Sequence, residues 1–534
     1  MAKAVNLCDL FDQTCKKYSQ LPAFTCMGQT LTFAEVDTYT TQFASYLQNH
    51  TNLKPGDRIA IQMPNLLQYP IAVYGALKAG LIVVNTNPLY TDREIKHQLN
   101  DSGAKALLVL ANIAKEANEV VKDTPVETVI VTEVADLHPF LKRHLLNFVV
   151  KRIKKMVPEV NFENRVSFTD ALKLGAASTF KPGVTNPEDI AILQYTGGTT
   201  GVAKGAMLSH RNLIANRGQI VDHLEEVMKE GEEIYIAPLP LYHIYAFNFH
   251  CVSLFSRGSL NILIPNPRDL PALLGAIKKV RFTGFVGLDT LFKALCNNEQ
   301  FKSLDFSALR TTSSGGMALT RDTAELWQKI TGVTPNEGYG LTETSPVVSA
   351  NYANAIKPGT VGVALPHTEV KTVDENGQAT AIDEPGELLV RGPQVMEGYW
   401  QRPEETAKNI DAEGWFATGD IATIDEAGYI RIVDRKKDMI LVSGFNVYPA
   451  EVEDVIVSHP KVLEAAVIGV PDARSGEAVK VFVVKKDATL TDKDVISYAR
   501  DNLTAYKVPK KVEFCEDLPK SNVGKVLRKE LRSQ

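Results

Sequence analysis

The residues from Tyr195 to Gly205 read Tyr-Thr-Gly-Gly-Thr-Thr-Gly-Val-Ala-Lys-Gly, a composition suited to holding phosphate. Glycines at 197, 198, 201 and 205 permit positive φ and close approach of the backbone, so successive N–H groups can converge on one anion. The hydroxyls of Thr196, Thr199 and Thr200 add donors, and Lys204 adds a positive charge. Charge-assisted hydrogen bonds contribute roughly 1.5–3 kcal/mol each, so a few suffice to dock a triphosphate. The spacing does not fit G-x-x-x-x-G-K-[ST], because no glycine directly precedes Lys204 and Gly205 follows it. A flexible Gly/Thr turn is the bland alternative. The apolar run Ile190, Ala191, Ile192, Leu193 and the three interleaved hydroxyls argue against it.

Other stretches carry chemistry of a related kind. Ser313-Ser-Gly-Gly-Met317 has the small residues that let a flat ring lie against backbone. Glu337-Gly-Tyr-Gly-Leu-Thr-Glu343 sets an aromatic beside glycine and a carboxylate four residues on, and that carboxylate can hold Mg²⁺, which takes a few hard oxygens plus phosphate oxygens. Charges crowd together from Thr418-Gly-Asp420 to Asp434-Arg-Lys-Lys-Asp438. Near the terminus, Leu518-Pro-Lys-Ser-Asn-Val-Gly-Lys525 presents a lysine on a glycine-loosened loop; taken alone it reads as a solvated lysine. His243, within Pro238 to Phe247, stands among aromatics and prolines, where a histidine is more often a satisfied core residue than a catalyst.

The elements that must position these residues follow from pattern. Thr32 with Glu35 three residues on forms a capping box at a helix start. Apolar strand-like runs at Ile59 to Ile61, Leu81 to Val84, Ala106 to Leu110 and Thr128 to Val131 alternate with helical stretches, one of them polar from Asp92 to Asn100. Such alternation predicts parallel sheet in an α/β layer fold. Ser209-His-Arg-Asn212 predicts an N-cap and first turn soon after the phosphate loop. From 363 to 432 short alternating strands and Gly/Pro/Asp turns predict a β-rich subdomain, and the rest of the chain has enough strand and helix pattern for a small α+β domain.

At 534 residues the chain is too long for one core, and 44% hydrophobic with 23% charged residues is ordinary for a globular protein. The net charge of −5 offers no basic field for nucleic acid. The six cysteines form no C-x-x-C pair and read as reduced thiols of a cytoplasmic chain, without a metal cluster. No signal peptide and no membrane span are expected.

One segment breaks the pattern. Between Pro139 and Pro158, Leu141, Leu145, Phe148, Val149, Ile153 and Met156 recur at helical spacing, with Lys142, Arg143, Lys151, Arg152, Lys154 and Lys155 among them. A basic amphipathic helix of this kind either lies on an anionic membrane surface or packs its apolar stripe on the domain, and periodicity does not choose between them.

With these stretches assembled, the chain resembles the adenylate-forming (AMP-binding, acyl-CoA synthetase) superfamily, most closely the bacterial long-chain fatty-acid–CoA ligases. The motifs occur in the family's order over nearly the whole chain: the Tyr195 loop, Tyr339 to Glu343, Gly386 to Gly392, Thr418 to Asp420, Asp434 to Gly444 and Pro519 to Lys525. The resemblance implies a large N-terminal domain (1–434) of layered α/β subdomains with the β-rich subdomain, a hinge at 435–437, and a small mobile α+β C-terminal lid (438–534). It implies two half-reactions: a fatty carboxylate attacks the α-phosphorus of MgATP to give acyl-adenylate and pyrophosphate, and the thiol of coenzyme A then gives thioester and AMP.

By the same resemblance Thr196, Gly197, Gly198, Thr199, Thr200, Gly201 and Lys204 hold phosphates, and Glu343 ligates Mg²⁺. Gly315, Gly316, Tyr339, Gly340 and Thr342 meet adenosine, Asp420 accepts from the ribose hydroxyls, and Arg435 assists. Lys525 bridges the attacking carboxylate and the phosphate. Lys437 is the hinge residue, Gly444 lines the path of the pantetheine arm, and His243 and Phe247 stand near an acyl tunnel; some relatives carry Trp where Phe247 stands. The expected partners are a long-chain fatty acid, ATP and coenzyme A, with a peripheral seat on the inner face of the cytoplasmic membrane and a homodimer as further options. The rival readings are a medium-chain or aryl-CoA ligase, an enzyme loading a carrier protein, and a non-catalytic membrane-associated fatty-acid binding protein.

Overall fold

A computed structural model describes residues 5–163, 165–196, 203–521 and 524–532. The chain divides into two compact units: residues 1–358, 365–368 and 392–411, and residues 359–364, 369–391 and 412–534.

The first unit holds two large sheets. In one, the strands Arg58–Gln62, Ile82–Thr86, Ala104–Leu110, Thr128–Thr132 and Arg165–Ser167 join Ile190–Thr196 in parallel. Lys204–Ser209 then pairs antiparallel with Ile190–Thr196 at the sheet's edge. These strands are near-continuous runs of Val, Ile, Leu and Ala because both faces are covered, as parallel sheet requires. Ala60, Val84, Leu107, Val109 and Leu193 are fully buried in one of its cores. The second sheet is also parallel at its centre, through Leu260–Leu263, Ile234–Ala237, Gly284–Gly287, Thr311–Ser314 and Asn336–Gly340. Phe285, Phe292 and Trp327 pack beside it, and the Trp327 indole N–H is satisfied by Thr312 Oγ1 at 3.1 Å.

Helix starts follow local chemistry. Phe33–Asn49 begins with the expected capping box of Thr32 and Glu35, and Asp92–Ser102 with a second, Thr91 and Glu94. The helix His210–Leu224 is capped by Ser209, whose Oγ accepts from Asn212 N while the Asn212 side chain accepts from Ser209 N. Such a cap contributes about 1 kcal/mol.

The second unit contains an antiparallel sheet of Glu369–Val373, Gly386–Arg391, Phe416–Ile424 and Ile430–Arg435, the β-rich stretch expected from sequence. It also contains a five-stranded sheet built on the long hairpin Val462–Asp472 with Gly476–Lys485, flanked by the helices Pro449–Val457 and Asp492–Asn502.

The segment from 139 to 158 differs from a single regular helix. It is α-helical over Phe140–Phe148, continues with wider i→i+5 turns over Val149–Ile153, and ends there. Neither stretch contributes a fully buried residue; of its apolar row Leu141, Leu145, Phe148, Ile153 and Met156 are exposed and Val149 is half-buried.

Candidate active site

In the first unit, the phosphate-loop sequence joins two antiparallel strands, with Thr196 opposite Lys204 and Tyr195 opposite Gly205. The expectation for Gly197, Gly198, Thr199, Thr200 and Gly201 falls outside the described residues. A further extended segment zips onto this hairpin: Met207 N donates to Gly398 O, Glu397 N to Met207 O, and Trp400 N to Gly205 O, at 2.9, 3.0 and 2.8 Å. The strands that flank the loop are therefore held by a backbone ladder, and side chains brace them. Tyr195 Oη donates to Asp101 Oδ2 at 2.7 Å, and Arg402 pairs with the other oxygen of Asp101 at 2.6 Å. Gly205 lets the Tyr195 ring lie flat, because a Cβ there would stand 3.1 Å from the ring.

Lys204 is not an isolated cation. Its Nζ pairs with Glu405 and lies 5.4 Å from the centroid of the Tyr399 ring. The Glu405 side chain is half-buried, and its hydrogen bond to Lys204 brings its pKa down to about 2. Tyr399 links this corner to Glu343, donating its hydroxyl to Glu343 Oε1 at 2.8 Å. Burial, reinforced by the Glu343 charge, keeps the Tyr399 phenol protonated and fixed as a donor. Glu343 is also tied through its backbone, its carbonyl accepting from Met396 N at 2.8 Å.

Two glycine-bearing strand ends lie side by side. Thr311–Ser314 runs parallel to Asn336–Gly340 with Ser314 opposite Glu337, so Gly315–Gly316 and Gly338–Gly340 leave neighbouring carboxyl ends of the sheet. That is where open α/β sheets bind ligands. Gly316 has φ +87°, and a Cβ on Gly315 would stand 3.2 Å from the Tyr245 ring. A Cβ on Gly340 would meet the Pro346 carbonyl at 2.1 Å, so only glycine fits between these strands. Thr342 opens the short turn Thr342–Thr344 that carries Glu343. Glu337 is desolvated, with Asp289 adding a like charge, and its pKa rises to about 7.

His243 caps the turn Ile244–Ala246 through Nδ1, which accepts from Tyr245 N at 3.4 Å. Burial lowers its pKa to about 4, so the ring is neutral at physiological pH. Phe247 is fully buried at the start of the wide-turn helix Phe247–Leu254.

The second unit gathers the remaining residues. Asp420 and Arg435 are cross-strand partners, and Arg435 Nε meets Asp420 Oδ1 at 2.7 Å. Asp420 is almost wholly buried. Lys525 lies within electrostatic reach of Arg435, Asp420 and Lys437. The residue is exposed along its length, yet protein crowds its amine, and that desolvation, with the Arg435 charge, lowers its pKa to about 8. Desolvation lowers the Lys437 pKa as well. Lys525 is bonded to Ser521 in both directions: Ser521 N donates to Lys525 O at 2.7 Å and Lys525 N to Ser521 Oγ at 3.2 Å. Gly444, at φ +85°, turns the hairpin Ile440–Val442 to Phe445–Val447, with no atom within 4 Å of the position its Cβ would take.

Residues 11–400 match the family of AMP-binding enzymes, and residues 451–525 match the AMP-binding enzyme C-terminal domain. The chain belongs to the AMP-binding enzyme family. Among curated members, the long-chain-fatty-acid–CoA ligase of Escherichia coli is 51% identical over 530 residues, covering 99% of this chain and 94% of that protein. The enzyme of the same name from Haemophilus influenzae is 49% identical, with 100% and 95% covered. A feruloyl-CoA synthase from Amycolatopsis is 34% identical, with 95% and 94% covered. Among solved structures, ATP-bound MatB from Rhodopseudomonas palustris superposes with a TM-score of 0.85 at 30% identity over 99% of this chain and 98% of that one. These findings establish the adenylate-forming fold.

The donor set fits a magnesium ion carried in with nucleotide. The described residues contain no cluster of three or more metal-ligating side chains. Glu343 supplies one carboxylate held in place by a phenol, and Mg²⁺ is usually bound by one or two carboxylates together with substrate phosphates rather than by an all-protein cage.

Tyr399, Glu405, Asp101 and Tyr245 escaped sequence reasoning. Each meets a partner far away in the chain, and only Tyr245 stands in a stretch singled out above, as one of the aromatics around His243. The aromatic density of Glu397-Gly-Tyr-Trp400 was the available signal for Tyr399. Tyr399→Phe removes the hydroxyl that orients Glu343 while keeping the ring under Lys204. Losing a partner that orients a metal ligand typically costs 10–100-fold, so a roughly tenfold rise in the Mg²⁺ concentration for half-maximal pyrophosphate release is expected. An unchanged Mg²⁺ titration would remove Glu343 from the metal's surroundings.

Proposed function

We propose that this chain is a long-chain fatty-acid–CoA ligase, activating fatty acids with ATP to acyl-adenylate and pyrophosphate and then transferring the acyl group to coenzyme A with release of AMP. The observation that carries this reading is the extent of the likeness: about half of all positions, across 99% of the chain, agree with proteins of that name. By contrast, the aryl-acid enzyme that matches over a similar length agrees at 34%.

Attack of one anion on another needs charge neutralisation and positioning more than a strong base. Thr196, Lys204 and the intervening loop residues hold the β- and γ-phosphates and the departing pyrophosphate. Glu343 would hold Mg²⁺, which supplies neutralising charge to phosphate oxygens. Gly315, Gly316, Tyr339, Gly340 and Thr342 receive adenosine, with Tyr339 stacked on the base. Asp420 accepts from the ribose hydroxyls, and its ion pair with Arg435 orients the carboxylate. Lys525 brings its ammonium to the carboxylate and the α-phosphate. For the second half-reaction the segment 438–534 turns about Lys437, withdrawing Lys525 and bringing Gly444 to the path of the pantetheine arm.

His243 and Phe247 border the acyl site, where the neutral imidazole adds no charge to an apolar wall. Each buried CH₂ contributes about 0.8 kcal/mol, so affinity should rise with chain length. No described helix is long and apolar enough to cross a membrane. We place the enzyme in the cytoplasm, with peripheral contact to the inner membrane face.

Pyrophosphate release with ATP and Mg²⁺ against acids of increasing length, followed by thioester formation with coenzyme A, tests this reading. Apparent KM should fall with each added CH₂ until the tunnel is filled. Activity confined to aromatic acids would replace it with the aryl-ligase reading, and binding of fatty acid without turnover would replace it with a non-catalytic carrier.

A further inference from the structure

The helix that begins at Phe140 presents its apolar side to solvent. Leu141, Leu145, Phe148 and Ile153 are 82%, 63%, 57% and 66% exposed. Their spacing is four, three and then five residues. On a regular α-helix a step of five would turn Ile153 about 140° away from Phe148. The wide turns over Val149–Ile153, in which Lys154 N donates to Val149 O at 2.8 Å, bring it back into the row.

The opposite side is the one fastened to the protein. Leu146, Asn147 and Val150 are half-buried. The Asn147 side chain accepts from Ala135 N at 3.1 Å and donates to Asp136 Oδ1 at 3.4 Å. A surface helix ordinarily turns its apolar stripe toward the core; here a polar side chain makes the attachment and the stripe is left outward.

Charge selects what covers it. Residues 139–158 contain six Lys and Arg and no Asp or Glu, in a chain whose net charge is −5. Lys142 reaches the carbonyls of Met27 and Gly28, Lys151 approaches Glu133 at 3.9 Å, and the Arg143 guanidinium lies over the Phe140 ring. Arg152, Lys154 and Lys155 have no ion-pair partner among the described residues. A second copy of this face would bring six cations onto six, and like charges across an interface are costly. An anionic lipid surface meets both halves of the pattern, with headgroups for the cations and the acyl boundary for the row.

We propose that residues 140–156 seat this protein on an anionic membrane surface, with Leu141, Leu145, Phe148 and Ile153 entering the headgroup–acyl boundary. The proposal rests on the ligase reading only for its benefit, which is to hold the enzyme where a poorly soluble long-chain acid is concentrated.

The test is sedimentation of the full-length chain with phosphatidylcholine vesicles that contain or lack phosphatidylglycerol. The wild-type chain should partition onto the anionic vesicles and release at high salt. The variant Leu145→Asp/Phe148→Asp should lose at least about tenfold in partitioning, and replacing the six basic residues by Gln should abolish the preference for phosphatidylglycerol. Pyrophosphate release with detergent-dissolved fatty acid should stay unchanged in both variants, since none of the altered residues is fully buried and all lie outside the proposed site. Equal binding by wild type and either variant would overturn the proposal. So would absence of vesicle binding together with a dimer that Leu145→Asp/Phe148→Asp dissociates, which would assign the face to a second copy. Loss of turnover in the wild type itself would count against the ligase reading and leave the vesicle result standing.

Discussion

Lys525→Ala lowers the rate of acyl-adenylate formation on the order of a hundredfold or more, while thioester formation from supplied acyl-adenylate and coenzyme A survives. The magnitude is that of removing one preorganised donor from an active site. The structure adds a physical reason for expecting a large effect. The amine sits near Arg435 and Lys437, with Asp420 the carboxylate in reach, and Asp420 is already committed to Arg435. Desolvation and like charge together depress its pKa to about 8. A group in that state gains most from an anion arriving beside it, as a fatty carboxylate or phosphate would. Single-turnover assays of the two half-reactions make the comparison, and equal loss in both would contradict the assignment.

The same shift predicts a pH dependence. The ammonium is the useful form, so kcat/KM for adenylation should fall as pH rises through about 8, because that ratio reports the free enzyme. Bound ATP favours the charged form, so the fall in kcat should come at higher pH. Lys525→Arg keeps its charge throughout and should lack the limb, whatever its absolute rate. The linkage to folding has the opposite sign. The folded pKa of about 8 lies below the ordinary 10.5, so the unfolded chain holds this proton more tightly, and the group's contribution to stability rises between those two values.

A bulky residue at 444 blocks thioester formation and leaves pyrophosphate release intact. Gly444 stands at φ +85° with no protein atom within 4 Å of the position a Cβ would take, so a side chain there starts out into open space. Backbone strain is the competing effect, since a non-glycine residue at positive φ costs on the order of 1–2 kcal/mol. Gly444→Ala separates the two: it carries the strain with little bulk, so it should match Gly444→Trp in thermal stability yet retain most thioesterification. If adenylation were lost and thioester formation kept, Gly444 would have no place on the coenzyme A path.

Much of this protein could be read from its sequence. Thr32 with Glu35 starts the first long helix expected, Asp92 begins the polar one, and the apolar runs at 59–61, 81–84, 106–110 and 128–131 all fall within or against parallel strands. These features are set within a few residues of chain: a cap needs a hydroxyl and a carboxylate three positions apart, and a strand buried on both faces needs an unbroken apolar run. The ordered motifs likewise led to the family that the comparisons establish.

What the sequence could not supply depends on partners far apart in the chain. Tyr399 meets Glu343 and Lys204 only because residues 396–400 pair with the strand that follows the phosphate loop. Lys525 reads as an ordinary terminal lysine until the fold surrounds its amine with Arg435, Asp420 and Lys437. The helix at 140 shows the limit plainly. Sequence determined that this segment is helical, apolar along one row and strongly basic, because spacing and residue type are local properties. Tertiary structure alone decided that the row faces outward. Which side of a helix is covered depends on what the rest of the chain packs against it, and here the attachment is made by Asn147 through Ala135 and Asp136.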